Sequence, residues 1–127
     1  TGDLNVAHLD GDIWNCGAKH LAKSAGTTPE ERQSFSKVLD ETKMADAFRK
    51  LHGEGAANWY TYWSVRAQNG PWNRGLRLDY FVCSEGMFDE GAGVAVQDCR
   101  MLSGEGEAVE LDFIAIDHCA ISLTLSV

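Results

Sequence analysis

Residues 76–83 read Leu-Arg-Leu-Asp-Tyr-Phe-Val-Cys and form a regular apolar stretch in the middle of the chain. This spacing is typical of a β-strand, with the side chains at 78, 80 and 82 on one face and those at 77, 79 and 81 on the other. Asp79 lies inside this apolar strand, where an ionisable side chain requires a partner. The stretch therefore predicts a core strand that carries a paired carboxylate.

Other strands are predicted on both sides of it. Residues 121–127 alternate strictly between apolar and hydroxyl side chains, which predicts a strand with one buried face. Residues 1–6, 93–101 and 109–116 are further strand candidates, and the aromatic segment 59–63 is β-prone. The segment 103–107 between two of them is an acidic turn.

Two helices are expected between the strands. Thr28 is a suitable N-cap, Pro29 suits the first helical position, and Glu31 completes a capping box. A second short helix fits 44–51 and is stopped by Gly53-Glu54-Gly55. Several strands with few helices predict an α/β protein.

Length and composition limit the classes of protein. The chain has 127 residues, 44% hydrophobic and 24% charged, which argues against a disordered or fibrous protein. No stretch approaches 18 uninterrupted apolar residues, so no transmembrane helix is expected. The net charge of −8 disfavours non-specific binding to a polyanion. However, residues 64–78 carry three arginines and no acid, beside a strongly acidic segment at 85–112.

The four cysteines are Cys16, Cys83, Cys99 and Cys119. They are widely spaced and contain no C-x-x-C pair, which argues against a disulfide scaffold. A zinc site involving Cys16 and His20, or His118 and Cys119, is one alternative. Buried free thiols in an intracellular reducing compartment are the preferred interpretation.

Polar residues at predicted strand ends form a candidate site. Asp3 and Asn5 alternate along the first strand, so we expect their side chains to point the same way. Asp117 and His118 directly precede the last strand. An imidazole oriented by Asp79, with a second carboxylate and an amide nearby, is a set that can hold a phosphate and activate water. Taken singly, each of these residues is also explained by a structural role.

The chain resembles the exonuclease III type of apurinic/apyrimidinic (AP) endonuclease, within the endonuclease/exonuclease/phosphatase superfamily. The segments that carry the resemblance are GDLNVAH at 2–8, AGTTPEER at 25–32, YTYWS at 60–64, RLDYF at 77–81 and DHC at 117–119. They occur in the family's order along the whole chain. The second and fourth segments are the more specific to AP endonucleases.

The resemblance implies a four-layer α/β sandwich and hydrolysis of the phosphodiester 5′ to an abasic site. It implies Mg²⁺ as cofactor, with Mn²⁺ as an alternative, and further 3′-phosphodiesterase or 3′–5′ exonuclease activity. Asp3 would activate water, with Asn5 beside it. His118 would contact the scissile phosphate, Asp79 would orient His118, and Asp117 would lie near the metal.

The resemblance also implies double-stranded DNA with abasic sites as the partner. The residues that match DNA-contacting positions of the family are Asn15, Lys19, Tyr62, Arg66, Trp72, Asn73 and Arg74. Core packing for Tyr62, and a solvated surface for the two arginines, are the alternatives. Leu76 stands where the family pattern has tryptophan, so a looser or less discriminating sugar pocket is expected. Ile116 departs from the pattern as well, which has a small residue before Asp117.

The family domain is about twice as long as this chain. We therefore expect residues 1–127 to be the C-terminal portion of one domain whose N-terminal portion lies in a separate or missing chain. The expected location is the nucleus or mitochondrion in a eukaryote and the cytoplasm in a bacterium. Another phosphodiesterase of the superfamily and a non-catalytic interaction module remain as alternatives to an AP endonuclease.

Overall fold

The computed structural model describes residues 1–102 and 117–127. The strands are β1 Gly2–Asp3, β2 Met44–Asp46, β3 Asp79–Tyr80, β4 Val82–Ser84, β5 Ala95–Met101 and β6 Ile121–Ser126. The helices are α1 Pro29–Thr42 and α2 Ala47–His52, with 3₁₀ turns at Asp10–Asp12, Lys19–Lys23, Gly70–Trp72 and Glu85–Phe88. The strand predicted at 109–116, the turn at 103–107 and Ile116 lie outside the described residues.

The described strands pair as three antiparallel ribbons, which confirms an α/β chain. β1 pairs with β3, β2 with β4, and β5 with β6. In the first ribbon Gly2 lies opposite Tyr80 and Asp3 lies opposite Asp79. This register brings two of the predicted site carboxylates to neighbouring positions.

The single strand predicted over 76–83 is instead divided between two ribbons. β3 and β4 are separated at Phe81, whose carbonyl accepts a hydrogen bond of 2.9 Å from the Ala47 amide. The predicted buried face is present at Leu78 and Tyr80, which are 6% and 1% exposed. Arg77, on the opposite face, is fully buried as well, because it meets acidic partners described below.

The helix predictions are partly confirmed. α1 begins as expected, since the Thr28 hydroxyl accepts from the Glu31 amide and the Glu31 carboxylate accepts from the Thr28 amide. The second helix is shorter than predicted, because residues 44–46 form β2 and pair with β4. Asp46 then caps α2 by accepting from the amides of Phe48 and Arg49.

The ribbon of β5 and β6 lies against the largest apolar cluster. Ile121 and Leu123 of β6 pack against this cluster, but both are only half-buried. Leu125 and Val127 are exposed, so the prediction of one buried face along 121–127 is wrong for the distal part of the strand. Within the described residues, β6 packs against the apolar cluster only as far as Leu123.

The main core contains three of the four cysteines. Cys83, Cys99 and Cys119 are buried thiols outside any disulfide, in one cluster with Phe48 and Trp63. Burial raises the pKa of the Cys99 thiol to about 12, so this thiol stays protonated at neutral pH. The prediction of free thiols is confirmed, although Cys16 is exposed. No helix in the described ranges is long and apolar enough to cross a membrane.

An ion-pair network at the centre of the fold was not predicted from the sequence. The Arg77 guanidinium is fully buried and forms hydrogen bonds to both oxygens of Asp12, at 2.7 and 3.2 Å. It also bonds both oxygens of Asp46, at 3.1 and 2.5 Å. Arg49 pairs with Asp12 from another side. Burial by itself opposes ionisation of Asp12, but the two arginines outweigh it, and the pKa of Asp12 lies below its usual range.

Replacing Arg77 by Met should destabilise the fold by about 3–5 kcal/mol, because two buried carboxylates lose their partner. Urea denaturation measures the free energy of unfolding. The matched control is Arg100→Met, which removes the exposed pair with Asp98 and should cost less than about 1 kcal/mol. Equal losses in the two variants would contradict a central role for the network.

Candidate active site

Three segments distant in sequence meet at the candidate site. The β1–β3 pairing places Asp3 next to Asp79. The predicted strand over 59–63 is present only as bridges, in which Tyr62 pairs with Leu76 on one side and with His118 on the other. These pairings bring together three of the predicted catalytic residues: Asp3, Asp79 and His118.

The central contact of the site is a hydrogen bond between His118 and Asp79. His118 Nδ1 lies 2.8 Å from Asp79 Oδ2, and because a carboxylate accepts, Nδ1 carries the proton. The Asp79 side chain is 15% exposed, which shields this contact from water. His118 Nε2 is therefore the nitrogen left for another partner, and it lies 3.9 Å from Asp3 Oδ2.

The backbone turns sharply after Asp3. The predicted alternation of Asp3 and Asn5 along one strand is wrong, because β1 ends at Asp3 and Asn5 adopts a left-handed conformation with φ 53°. Asp3 Oδ1 instead accepts a hydrogen bond of 2.9 Å from the Asn5 amide. Asn5 tolerates this conformation better than most residues. Asn5 still lies at the site, where it lines a pocket with Tyr62 and His118.

This pocket has a volume of about 380 Å³. The Tyr62 ring forms one wall, with its centroid 5.1 Å from that of His118. Gly26 packs on the backbone of Asn5, at a φ of 82°, and a Cβ there would lie 2.9 Å from the Asn5 carbonyl oxygen. Only glycine allows this close approach. The Gly26 amide donates to Glu31 at 2.8 Å, so the start of α1 fixes the floor of the pocket.

Asp117, which was predicted to lie near the metal, directly precedes His118 and is exposed. Its carbonyl accepts a hydrogen bond of 2.8 Å from the Trp63 amide, which anchors the segment before His118. Within residues 1–102 and 117–127, no three His, Cys, Asp or Glu side chains form a group able to hold a metal ion. Asp3 and Asp79 lie at neighbouring positions, but they do not belong to such a group in the described ranges.

A second groove of about 570 Å³ adjoins the pocket and shares Ala25, Tyr62 and Leu76 with it. Asn15 and Arg74, both predicted DNA-binding residues, line this groove. The Arg74 guanidinium lies 5.2 Å from the ring centroid of Trp14 and 5.9 Å from that of Trp72. An arginine held between two indoles is a cationic and aromatic surface directly beside the His118 site.

The other predicted DNA-binding residues lie differently. Lys19 and Arg66 are exposed, and Trp72 is 71% exposed. Asn73 is occupied within the protein, since its side chain accepts a hydrogen bond of 3.0 Å from the Trp63 indole and donates to the Asn58 carbonyl at 3.1 Å. Its role in the described residues is to hold the loop that presents Trp72 and Arg74.

Two residues at the site were missed in the sequence. Trp14 lines the groove and stacks on Arg74, although nothing in its surroundings distinguishes it from a core aromatic. Thr61 is fully buried, and its hydroxyl accepts from the amides of Leu78 and Asp79 at 2.9 and 3.1 Å. A hydroxyl enclosed by aromatic neighbours requires partners, which is a signal that the sequence did contain.

Comparisons with known proteins agree with this geometry. No protein-family model matches the chain. The chain is 37% identical over 126 residues to the DNA repair nuclease APEX1 of Danio rerio, covering 99% of this chain and 35% of that protein. It is 46% identical over 124 residues to a DNA-(apurinic or apyrimidinic site) endonuclease of Dictyostelium discoideum, covering 98% of this chain and 30% of that protein. An exodeoxyribonuclease of Bacillus subtilis is 34% identical over 128 residues, with 99% of this chain and 43% of that protein covered.

Solved structures give the same result. The AP endonuclease LMAP from Leishmania major matches with a TM-score of 0.77 and 34% identity, over 95% of this chain and 32% of that chain. The 3′ phosphatase NExo from Neisseria bound to product DNA hairpin matches with a TM-score of 0.71 and 25% identity, over 98% of this chain and 43% of that chain. The chain thus spans less than half the length of the proteins it matches, and the resemblance found in the sequence is confirmed.

Replacing Asp79 by Asn should lower the population of the Nδ1-protonated tautomer of His118, because the side-chain amide of asparagine can also donate to an unprotonated Nδ1. In ¹⁵N-histidine NMR spectra of the neutral ring, we expect the Nδ1-protonated form to dominate in the wild type and to decrease in Asp79→Asn. Asp98→Asn, at a half-buried acidic residue on β5 away from the site, is the control and should leave His118 unchanged. An unchanged spectrum in Asp79→Asn would show that the 2.8 Å contact does not orient the ring.

Proposed function

Because this chain is homologous to AP endonucleases and exodeoxyribonucleases over almost its whole length, we propose that it carries the histidine–aspartate half of a phosphodiesterase site for DNA repair. The observation that carries the proposal is the 2.8 Å bond from His118 Nδ1 to Asp79, with Nε2 left facing Asp3. The reaction is hydrolysis of the phosphodiester 5′ to an abasic site. Similar solved structures named 3′ phosphatase and 3′–5′ exonuclease favour 3′ processing as a second activity.

The fold proposed for the whole domain is a four-layer α/β sandwich, of which residues 1–127 form the C-terminal portion. Two observations support this proposal. The chain covers only 30% to 43% of its curated relatives. Leu125 on β6 is 45% exposed, as expected if a further part of the domain covers the end of this strand. The N-terminal portion would then be the partner that completes the site.

The proposed chemistry divides the work among the side chains of the site. Protonated His118 donates from Nε2 to a non-bridging phosphate oxygen, where negative charge grows in the transition state. Asp79 holds the ring and stabilises the imidazolium through Nδ1. Asp3, whose carboxylate lies 3.9 Å from His118 Nε2, accepts the proton of the attacking water. Asn5 lines the His118 pocket and orients that water.

We propose Mg²⁺, with Mn²⁺ as an alternative, as the cofactor of this reaction. Mg²⁺ binds oxygen ligands, keeps several waters and requires only one or two carboxylates, so a site with few carboxylates is compatible with it. Asp117 is the exposed carboxylate adjacent to His118 and is the proposed contribution of this chain. When bound, the ion would offset charge on the phosphoryl oxygens.

The proposed DNA-binding surface follows the groove beside the site. Arg74, Lys19 and Arg66 would contact phosphates, and Trp72 would contact the groove of the duplex. Tyr62 would line the space for the abasic sugar, since it forms a wall of the His118 pocket. Asn15 lines the groove, whereas Asn73 would act through the loop that it holds. An absent base lowers the cost of extruding the nucleotide.

Asp3→Asn should reduce incision of a duplex with one tetrahydrofuran abasic analogue by at least about 100-fold, because an amide cannot accept the water proton. Incision by the full-length natural protein is followed on denaturing gels in Mg²⁺ and in EDTA. Asp10→Asn is the matched control, as an exposed carboxylate away from His118. Full incision in EDTA would exclude the metal, and full incision by Asp3→Asn would exclude Asp3 as the base. A superfamily member with another substrate would leave the duplex intact but cleave a small phosphodiester.

Arg74→Gln should weaken DNA binding and lower the salt slope of log K by about 1, because one phosphate contact is lost. Fluorescence anisotropy with labelled duplex at several salt concentrations measures both quantities. Arg100→Gln, on the exposed face of β5, should change neither. A non-catalytic interaction module would bind DNA with the same dependence on Arg74 but show no incision.

A further inference from the structure

Thr61 lies at a junction that the proposed chemistry does not use. It is fully buried between Tyr60 and Tyr62, and its hydroxyl oxygen accepts from two successive amides, those of Leu78 and Asp79. A hydroxyl has two acceptor lone pairs, and both are directed here to the backbone that carries the site aspartate. The side chain of Thr61 therefore fixes the position of the Asp79 backbone.

The backbone of the same residue holds the other partner of the pair. The Cys119 amide donates to the Thr61 carbonyl at 2.8 Å, and the Trp63 amide donates to the Asp117 carbonyl at 2.8 Å. These two bonds bracket His118, which lies opposite Tyr62. The position of His118 is thus set from residues 61–63, the segment whose hydroxyl holds Asp79.

One residue consequently links both ends of the 2.8 Å contact between His118 and Asp79. Hydrogen bonds weaken steeply as their distance and angle depart from the ideal. A shift of the Asp79 backbone relative to residues 61–63 would therefore weaken the contact that sets the tautomer.

We propose that Thr61 is a positioning residue for the His118–Asp79 pair: its hydroxyl ties Asp79 to the segment that holds His118 and so maintains the Nδ1-protonated ring. The catalytic value of this positioning rests on the proposed function. The positioning itself is a property of the fold, so hydrogen–deuterium exchange and ¹⁵N-histidine NMR test it without any assay of activity.

The experiment compares Thr61→Val, Thr61→Ser and Thr27→Val in the full-length natural protein. Valine keeps the shape of threonine but offers no acceptor, whereas serine keeps the hydroxyl. Thr27 is the matched control, since it is also buried, at 4% exposure, and its hydroxyl bonds the carbonyls of Leu21 and Ser24 away from Asp79. Thr27→Val therefore reports the general effect of losing one buried threonine hydroxyl.

Two quantities are measured. Hydrogen–deuterium exchange of peptides covering 77–80 should become at least about tenfold faster in Thr61→Val than in Thr61→Ser, because two amides lose their acceptor. The ¹⁵N-histidine spectrum, with His118 assigned by its absence in His118→Gln, should shift in Thr61→Val towards that of Asp79→Asn. Thr61→Ser should restore the wild-type tautomer, and Thr27→Val should retain it.

A wild-type His118 tautomer in Thr61→Val, or an equal change in Thr27→Val, would overturn the proposal. If Thr61→Val does not fold, Thr61→Cys replaces it, because sulfur is only a weak acceptor of similar size, and the same two outcomes decide. Absence of incision in the wild type would contradict the proposed function and leave this result unaffected. If the wild type is active, the expected loss in Thr61→Val is in kcat, with KM retained.

Discussion

The guanidinium of Arg77, held between the carboxylates of Asp12 and Asp46, is the contact on which the rest of the structure depends. It bonds all four carboxylate oxygens from a position that water does not reach. The partners are 65 and 31 residues away in sequence. A buried charge requires such complete pairing, so the three segments are restricted to one arrangement. The rings of Phe48 and Tyr80 on the guanidinium restrict it further.

The site inherits its geometry from this network. Tyr80 links Arg77 to the first segment of the chain, because its hydroxyl donates to the carbonyls of Val6 and Arg77, at 2.6 and 2.9 Å. Burial raises the pKa of Tyr80, so its hydroxyl remains a donor across the whole physiological range. These two hydrogen bonds of Tyr80 hold the segments that follow Asp3 and precede Asp79, and so they help to set the register between the two aspartates. The geometry of the candidate site therefore depends on the buried ion-pair network around Arg77.

The sequence was sufficient to predict those features that depend on local chemistry. The capping box at Thr28 and Glu31 is one example, because its two hydrogen bonds lie within four residues. The pairing of Asp79 with His118 followed from the cost of an unpaired carboxylate among apolar residues, together with the resemblance. Free thiols followed from the spacing of the cysteines.

The features that escaped prediction depend on contacts between distant segments. The break at Phe81 arises because β3 and β4 pair with different strands, which no periodicity within 76–83 records. Asp12 and Asp46 are ordinary loop and cap residues in sequence, and only the fold brings both to Arg77. The left-handed turn at Asn5 was missed because a short apolar alternation is compatible with both a strand and its end.

That turn has a consequence for mutational work on this protein. Because Asn5 combines a positive φ with a place in the pocket lining, an alanine substitution there changes the backbone conformation and removes the side-chain amide together. Alanine would remove the amide and also add about 1 kcal/mol of conformational strain. Glycine preserves the turn without the amide, and aspartate preserves both turn and shape while adding a charge. Only the pair of glycine and aspartate substitutions resolves what the amide itself contributes.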